Sequence, residues 1–276
     1  MDAFEFAAPA TLQEALAELA APEAVVLAGG TSLVLLLKSR LIAPRRVVWL
    51  GRVVGLRGIE LSAGELVIGA MTTLAEVAAS PEVGRLLPGL AQAARVVGNP
   101  RVRAVATVGG ALAHADPRQD LPPALLALGA VVRLRSPAGE RRLPLSALFT
   151  GPLETAVRDG ELLTAVEVPA PAAGQRSLYL RFTPASREDF PTVGVAVRVV
   201  SRDGVVVDAA LALAGVAPVP LLVPQAAEAL RQAGPAAVVE LAERACDPSD
   251  DQRGSASYKR AMARVWSRRA LAAALA

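Results

Sequence analysis

With 276 residues, 53% of them hydrophobic and 20% charged, the chain has enough apolar surface for two domains and too much of it for a disordered protein. Its 29 basic and 26 acidic residues leave a net charge of +3 with no basic cluster interleaved with aromatics, which argues against a nucleic-acid binder. A single cysteine, Cys246, and a single histidine, His114, exclude an internal disulfide and any iron–sulfur or zinc centre built from this chain alone, so redox chemistry here calls for an organic cofactor.

The first six residues lack the basic and apolar regions of a signal peptide. The most apolar late stretch, 205–223, is interrupted by Asp208, Pro218 and Pro220, so no membrane span is expected and the location reads as cytoplasmic. Thr11 and Glu14 form a capping box for a helix in which Leu12, Ala15, Leu16 and Leu19 share one face. A strand at 24–28, the turn Gly29-Gly30-Thr31-Ser32, a short helix at 33–38 and a strand at 46–50 then make a small βαβ unit. Its glycines lie at a strand's carboxyl end, where ligands bind in such units.

A strand at 66–70 and a helix capped by Thr73 and Glu76 follow. The pattern next predicts one helix over 83–97, with Arg101-Val102-Arg103 leading into a second glycine loop at 107–111. Helix and strand share 125–135, Ser136-Pro137-Ala138-Gly139 is a turn, and 161–168 is a strand. The stretch 169–174, rich in proline and alanine, reads as a linker or domain edge. Beyond it, 178–182, 193–201 and 205–215 form an antiparallel meander with Asp203-Gly204 as a hairpin turn, and helices follow at 224–232, 236–246 and 256–273. Lys259, Arg260, Arg264, Arg268 and Arg269 on the last helix read as a solvated face aided by the helix dipole.

Chemistry concentrates in the two glycine segments. Small residues with free N–H groups suit a dinucleotide's pyrophosphate, because convergent amide dipoles meet its negative charges. Taken singly, each reads rather as a tight connection, and neither fits G-x-G-x-x-G or G-x-x-x-x-G-K-[ST]. Asp120 before Leu121-Pro122-Pro123 reads as an N-cap with proline in the first turn, its carboxylate also available to ribose hydroxyls. His114 reads as a structural residue tethering its loop through backbone hydrogen bonds, Asp116 as a turn residue before Pro117, and Arg101 and Arg103 as surface charges. No nucleophile–histidine–acid set is present, as His114 stands alone.

As a whole, Ala28-Gly29-Gly30-Thr31-Ser32-Leu33 with Thr107-Val108-Gly109-Gly110 and His114-Ala115-Asp116-Pro117 resembles the FAD-binding medium subunits of molybdenum hydroxylases, the aerobic carbon monoxide dehydrogenase and xanthine dehydrogenase family. The resemblance runs from about residue 1 to about 273. It implies an α+β fold: a two-lobed FAD-binding domain of the molybdopterin dehydrogenase (vanillyl-alcohol-oxidase-like) type over 1–172, with lobes at about 1–53 and 54–172. A three-stranded antiparallel sheet with three helices over 173–276 follows. It further implies FAD contacts from Val26, Leu27, Ala28, Gly29, Gly30, Thr31, Ser32 and Leu33, from Thr107, Val108, Gly109, Gly110 and Ala111, and from Asp120, Leu163 and Arg181, with Val97 weaker.

By the same resemblance, Ser186-Arg187-Glu188-Asp189-Phe190 is a loop near the flavin that gates the electron acceptor, or else a polar turn. The implied activity is electron transfer from partner [2Fe-2S] clusters to NAD+, a quinone or oxygen. A large molybdopterin-binding subunit and a small [2Fe-2S] subunit are the implied partners, in a dimer of heterotrimers. The alternative is a self-sufficient FAD-dependent oxidoreductase. Ala104-Val105-Ala106 departs from the carbon monoxide subgroup, and Ala111 stands where many members carry asparagine or serine.

Overall fold

The computed structural model describes residues 3–276. A small lobe opens the chain with β1 (Glu5–Ala7), α1 (Leu12–Leu19), β2 (Ala24–Leu27), α2 (Leu33–Lys38) and β3 (Arg46–Trp49). Its three strands are parallel in the order β1-β3-β2. Thr11 and Glu14 form the expected reciprocal cap, and Ala15 and Leu16 pack with Val48, Leu50 and Leu162 into one core. The strand β1 had no counterpart in the sequence reading, since three residues are too few to show a period.

The larger lobe contains β4 (Ile59–Ser62), β5 (Glu65–Gly69), α3 (Leu74–Ala79), α4 (Pro81–Leu86), α5 (Pro88–Val96), α6 (Pro100–Val105), α7 (Val108–His114), α8 (Leu121–Ala127), β6 (Val131–Ser136) and β7 (Gly139–Pro144). The short pair β8 (Phe149–Gly151) and β9 (Glu154–Thr155) precedes β10 (Leu162–Pro169). Five of these strands form an antiparallel sheet, β4-β5-β10-β6-β7. The single helix expected over 83–97 is two. Pro88 forces Leu87 out of the helical region, to φ −133° and ψ 60°, and then starts α5. The stretch 100–105, expected to lead into a loop, is a helix whose cap is Asn99, with Oδ1 accepting from the N–H groups of Arg101 and Val102.

The last third contains β11 (Gln175–Phe182), β12 (Val193–Arg202), β13 (Val205–Ala214), β14 (Leu221–Leu222), α9 (Ala226–Ala233), α10 (Pro235–Ala245) and α11 (Ala256–Leu275). The expected meander is there, extended by the two-residue β14 into a four-stranded antiparallel sheet. Asp203 and Gly204 both have positive φ, as a tight hairpin turn demands. Alternation along β12 is buried on both faces. Val193, Val195, Val197 and Val199 join the core under the C-terminal helices, whereas Ala196 joins the core of the larger lobe with Ala212 and Tyr179. Arg198 reinforces that join by donating Nε to the carbonyl of Ala127 at 2.9 Å.

Arg264, Arg268 and Arg269 of α11 are exposed as expected, but Lys259 is not part of that solvated face. It is only 3% exposed and donates Nζ to the carbonyl of Ser249 and to Asp251, both at 2.8 Å. The dipole argument also fails, because no basic residue lies in the last turn of α11.

Candidate functional site

Between the two lobes runs a cleft of about 590 Å³, within the range of small-molecule and cofactor sites. The turn from β2 to α2 forms one wall. Gly29 is required there by close approach, since a Cβ would lie 1.8 Å from the carbonyl oxygen of Val105 at the end of α6. Gly30 has φ +74°, a conformation that favours glycine. Among the described residues, none accepts a hydrogen bond from the N–H groups of Gly29, Gly30, Thr31 or Ser32. The hydroxyls of Thr31 and Ser32 are likewise unpaired there, and Ser32 does not cap α2 with its side chain. All four residues line the cleft, so its wall presents a run of unused hydrogen-bond donors.

The second glycine segment is a helix start and not the loop expected. Thr107 caps α7, accepting from the N–H of Gly110 at 3.1 Å. Val108 donates to Thr72 O at 3.0 Å, Gly109 to Ala70 O at 2.8 Å, and Ala111 to Thr107 O at 2.9 Å. Of the amides expected to be free for a phosphate, those of Val108, Gly109, Gly110 and Ala111 are therefore occupied. The glycines serve proximity instead. A Cβ on Gly109 would lie 2.5 Å from that of Ala70, and one on Gly110 would lie 3.3 Å from that of Ala28. The two segments thus meet, one offering donors and the other a smooth face.

Of the residues expected at the site, Val26, Ala28, Gly29, Gly30, Thr31, Ser32, Leu33, Thr107, Gly109, Gly110, Ala111, Asp120 and Leu163 line this cleft, and so does Val97. Leu27, Val108 and Arg181 do not. Asp120 begins α8 but makes no side-chain cap, and each of its oxygens already accepts one hydrogen bond from the protein. Tyr179 donates its hydroxyl to Oδ1 at 2.8 Å, and Arg181 donates Nη1 to Oδ2 at 2.9 Å. Burial pushes the Asp120 carboxyl up to about 6, against the pull of Arg181 and Tyr179, and burial also raises the Tyr179 phenol. Arg181 sits behind the cleft wall, where Nη2 donates to the carbonyls of Arg187 and Asp189.

Glu188, Asp189 and Phe190, from the segment expected near the cofactor, do reach the cleft. His114 corrects its reading as a tether. It lines the cleft, its ring makes no hydrogen bond with a described residue, and burial lowers its pKa while Asp116 pulls the other way. Asp116 does act in a turn, accepting from the N–H and the side chain of Arg118. Arg103 ties down the carbonyls of Val97 and Gly98 at 2.9 and 3.0 Å, a structural duty for one of the two charges read as surface.

Met71, Thr155 and Glu161 also line the cleft and carried no signal in the sequence, and Gln119 lines it with them. Gln119 alone had a pointer, its place beside Asp120. Cys246 is buried, donates Sγ to the carbonyl of Ala242 at 3.0 Å, and has its thiol pushed up to about 12 by burial. Ellman's reagent at pH 8 is expected to leave the native protein unmodified and to titrate one thiol after denaturation. Rapid modification of the folded chain would contradict this burial. Among the described residues no cluster of His, Cys, Asp and Glu could hold a metal ion, and no helix is long and apolar enough to cross a membrane.

Unpaired donors beside a glycine-smoothed surface between two lobes make a cleft suited to a phosphate-bearing ligand. Comparison with known proteins identifies which kind. Residues 2–171 match the FAD binding domain in molybdopterin dehydrogenase, and 179–274 match the CO dehydrogenase flavoprotein C-terminal domain. The carbon monoxide dehydrogenase medium chain of Hydrogenophaga pseudoflava is 36% identical over 99% of this chain and 97% of its own. A solved structure of carbon monoxide dehydrogenase from that organism, lacking the Mo-pyranopterin moiety of the molybdenum cofactor, superposes with a TM-score of 0.95 at 36% identity, covering 99% and 97% of the two chains. Quinoline 2-oxidoreductase from Pseudomonas putida 86 matches with a TM-score of 0.93 at 32% identity, covering 99% and 97%. The chain belongs to the FAD-binding medium-subunit family of molybdenum hydroxylases.

Proposed function

We propose that this chain is the FAD-binding electron-transfer subunit of a heteromeric molybdenum hydroxylase, assembled with a large molybdopterin-binding subunit and a small [2Fe-2S] subunit. The observation that carries the reading is the run of unpaired donors at Gly29, Gly30, Thr31 and Ser32 in a cleft of FAD-binding family descent. These residues fit a pyrophosphate by their chemistry, because several donors converge with no protein acceptor among the described residues. Ala28, Gly109, Gly110 and Ala111 supply a smooth surface beside these donors, and Leu163 an apolar contact for the ring system. Bound there, FAD would supply redox capacity reachable in one- or two-electron steps, which a relay from iron–sulfur clusters to NAD+, a quinone or oxygen requires. Asp120 lies in the cleft wall, and Arg181 sits behind it as its partner.

We place the boundary between the FAD-binding part and the C-terminal part near residue 172. A dimer of heterotrimers in the cytoplasm is the assembly and location that go with this reading. Purification of the chain alone and with its co-purifying partners tests it. FAD released from the single chain, with iron–sulfur absorbance only in the complex, is the expected result. Substrate turnover by the isolated flavoprotein would favour a self-sufficient oxidoreductase, and absence of flavin from both preparations would sink the proposal.

A further inference from the structure

The segment between β11 and β12 reaches the cleft through Glu188, Asp189 and Phe190, and its anchorage is not local. Within the sheet, Arg181 holds only backbone carbonyls of the segment. The side chains are held from elsewhere. Arg253, in the connection from α10 to α11, donates Nη2 to Asp189 Oδ1 at 2.6 Å and Nε to the carbonyl of Phe190 at 3.3 Å. Its guanidinium carbon lies 5.8 Å from the centre of the Phe190 ring, and that of Arg118 lies 5.1 Å from the same ring, both within cation–π range.

Arg253 is itself fixed. Its side chain is 10% exposed, and Nη1 is buried with no acceptor among the described residues, so the guanidinium gives up one partner to reach the segment. Its backbone N–H donates to Asp251 Oδ1 at 2.8 Å, and the buried Lys259 holds Asp251 and the carbonyl of Ser249 from α11. The carboxyl of Asp189 is held below its usual range chiefly by Arg253. A continuous set of contacts therefore joins the start of α11 to an aromatic ring on the cleft wall.

We propose that Arg253 is a positioning residue for the cleft: by fixing Asp189 and Phe190 on its wall, it limits how closely a small dissolved reactant approaches the bound flavin. The inference rests on the flavoprotein reading above. Arg253 lies far in sequence from both glycine segments and touches neither, so it acts through the 186–190 segment.

Two readouts on the full-length chain test this, amide hydrogen exchange of 186–190 and acrylamide quenching of bound FAD fluorescence. Arg253→Met keeps the apolar stem and removes both hydrogen bonds and the charge. It is expected to speed exchange in 186–190 severalfold and to raise the quenching constant severalfold, with flavin content unchanged. Arg253→Lys should recover part of both. Asp189→Asn removes the same ion pair from the segment's side, so the double variant should add little to Arg253→Met alone. Faster exchange without greater quenching would reduce Arg253 to a purely structural anchor and overturn the proposal, as would no change in either readout. If Arg253→Met fails to fold, Asp189→Asn decides by the same criteria. A wild-type chain without flavin is a separate failure. It overturns the flavoprotein reading and with it the shielding of a flavin, while the exchange readout alone then reports whether Arg253 holds the segment.

Discussion

Gly29→Ala is expected to yield a protein that loses its flavin and about 3 kcal/mol of stability, the upper end of what an added methyl group does in a site that cannot expand. The new Cβ would stand 1.8 Å from the Val105 carbonyl oxygen and 2.7 Å from its carbon. Both are main-chain atoms of α6, so no side chain can swing aside. Either α6 or the β2–α2 turn must move, and that turn carries the unpaired donors. Gly84→Ala is the control. Nothing lies within 4 Å of its Cβ in α4, so the change should be neutral or stabilising by under about 1 kcal/mol. Flavin-to-protein absorbance ratios and denaturant melts would decide. A Gly29→Ala protein with wild-type flavin content and stability would show that the two lobes do not meet as described.

Arg181→Met should destabilise by about 3 kcal/mol at pH 8 and by much less at pH 5. Arg181 and Asp120 are both nearly enclosed, with side chains 8% and 4% exposed, so removing the guanidinium strands a carboxylate. The pH dependence follows from linkage. Asp120 already has a pKa of about 6 in the fold, above its ordinary 3.8, so its contribution is fully present below about pH 4 and is lost as pH rises through 6. Without Arg181, which lowers that pKa, the folded value climbs further. The loss in the variant then continues to higher pH, while in acid the carboxyl accepts a proton and escapes the penalty. Urea melts of both proteins from pH 5 to pH 8 measure the widening gap. A gap independent of pH would mean that Asp120 is not the group left unpaired.

How much of this was legible in the sequence depended on whether the cause was local. The capping boxes at Thr11 and Thr73, α2 over Leu33–Lys38, and the Asp203-Gly204 hairpin turn are set by neighbours within four residues, and the structure has each of them. Pro88 was local too, but an apolar pattern continuing on both sides masked the break at Leu87. Gly109 and Gly110 read as a loop because glycine is a poor helix former. Their reason is tertiary, the approach of α7 to Ala70 and Ala28. The pair Asp120–Arg181 spans 61 positions, and no spacing rule joins β11 to the start of α8. Lys259 misled for the complementary reason, since a lysine on a helix normally faces water and its partners here come from the preceding loop.

The sheet of the C-terminal part belongs to two cores, with valines on one face of β12 and alanine on the other. Two matched family regions, 2–171 and 179–274, therefore share one wall. The small side chains of Ala196 and Ala212 let the larger lobe settle on that wall, and Gly89 does the same from α5, where a Cβ would come 2.9 Å from the Leu178 nitrogen. Such halves are poor currency for recombination. A chimera that borrowed its C-terminal part from a distant relative would import a differently contoured wall. Drift on either side of that seam is thus constrained by the other, however freely the outer faces of the two parts diverge.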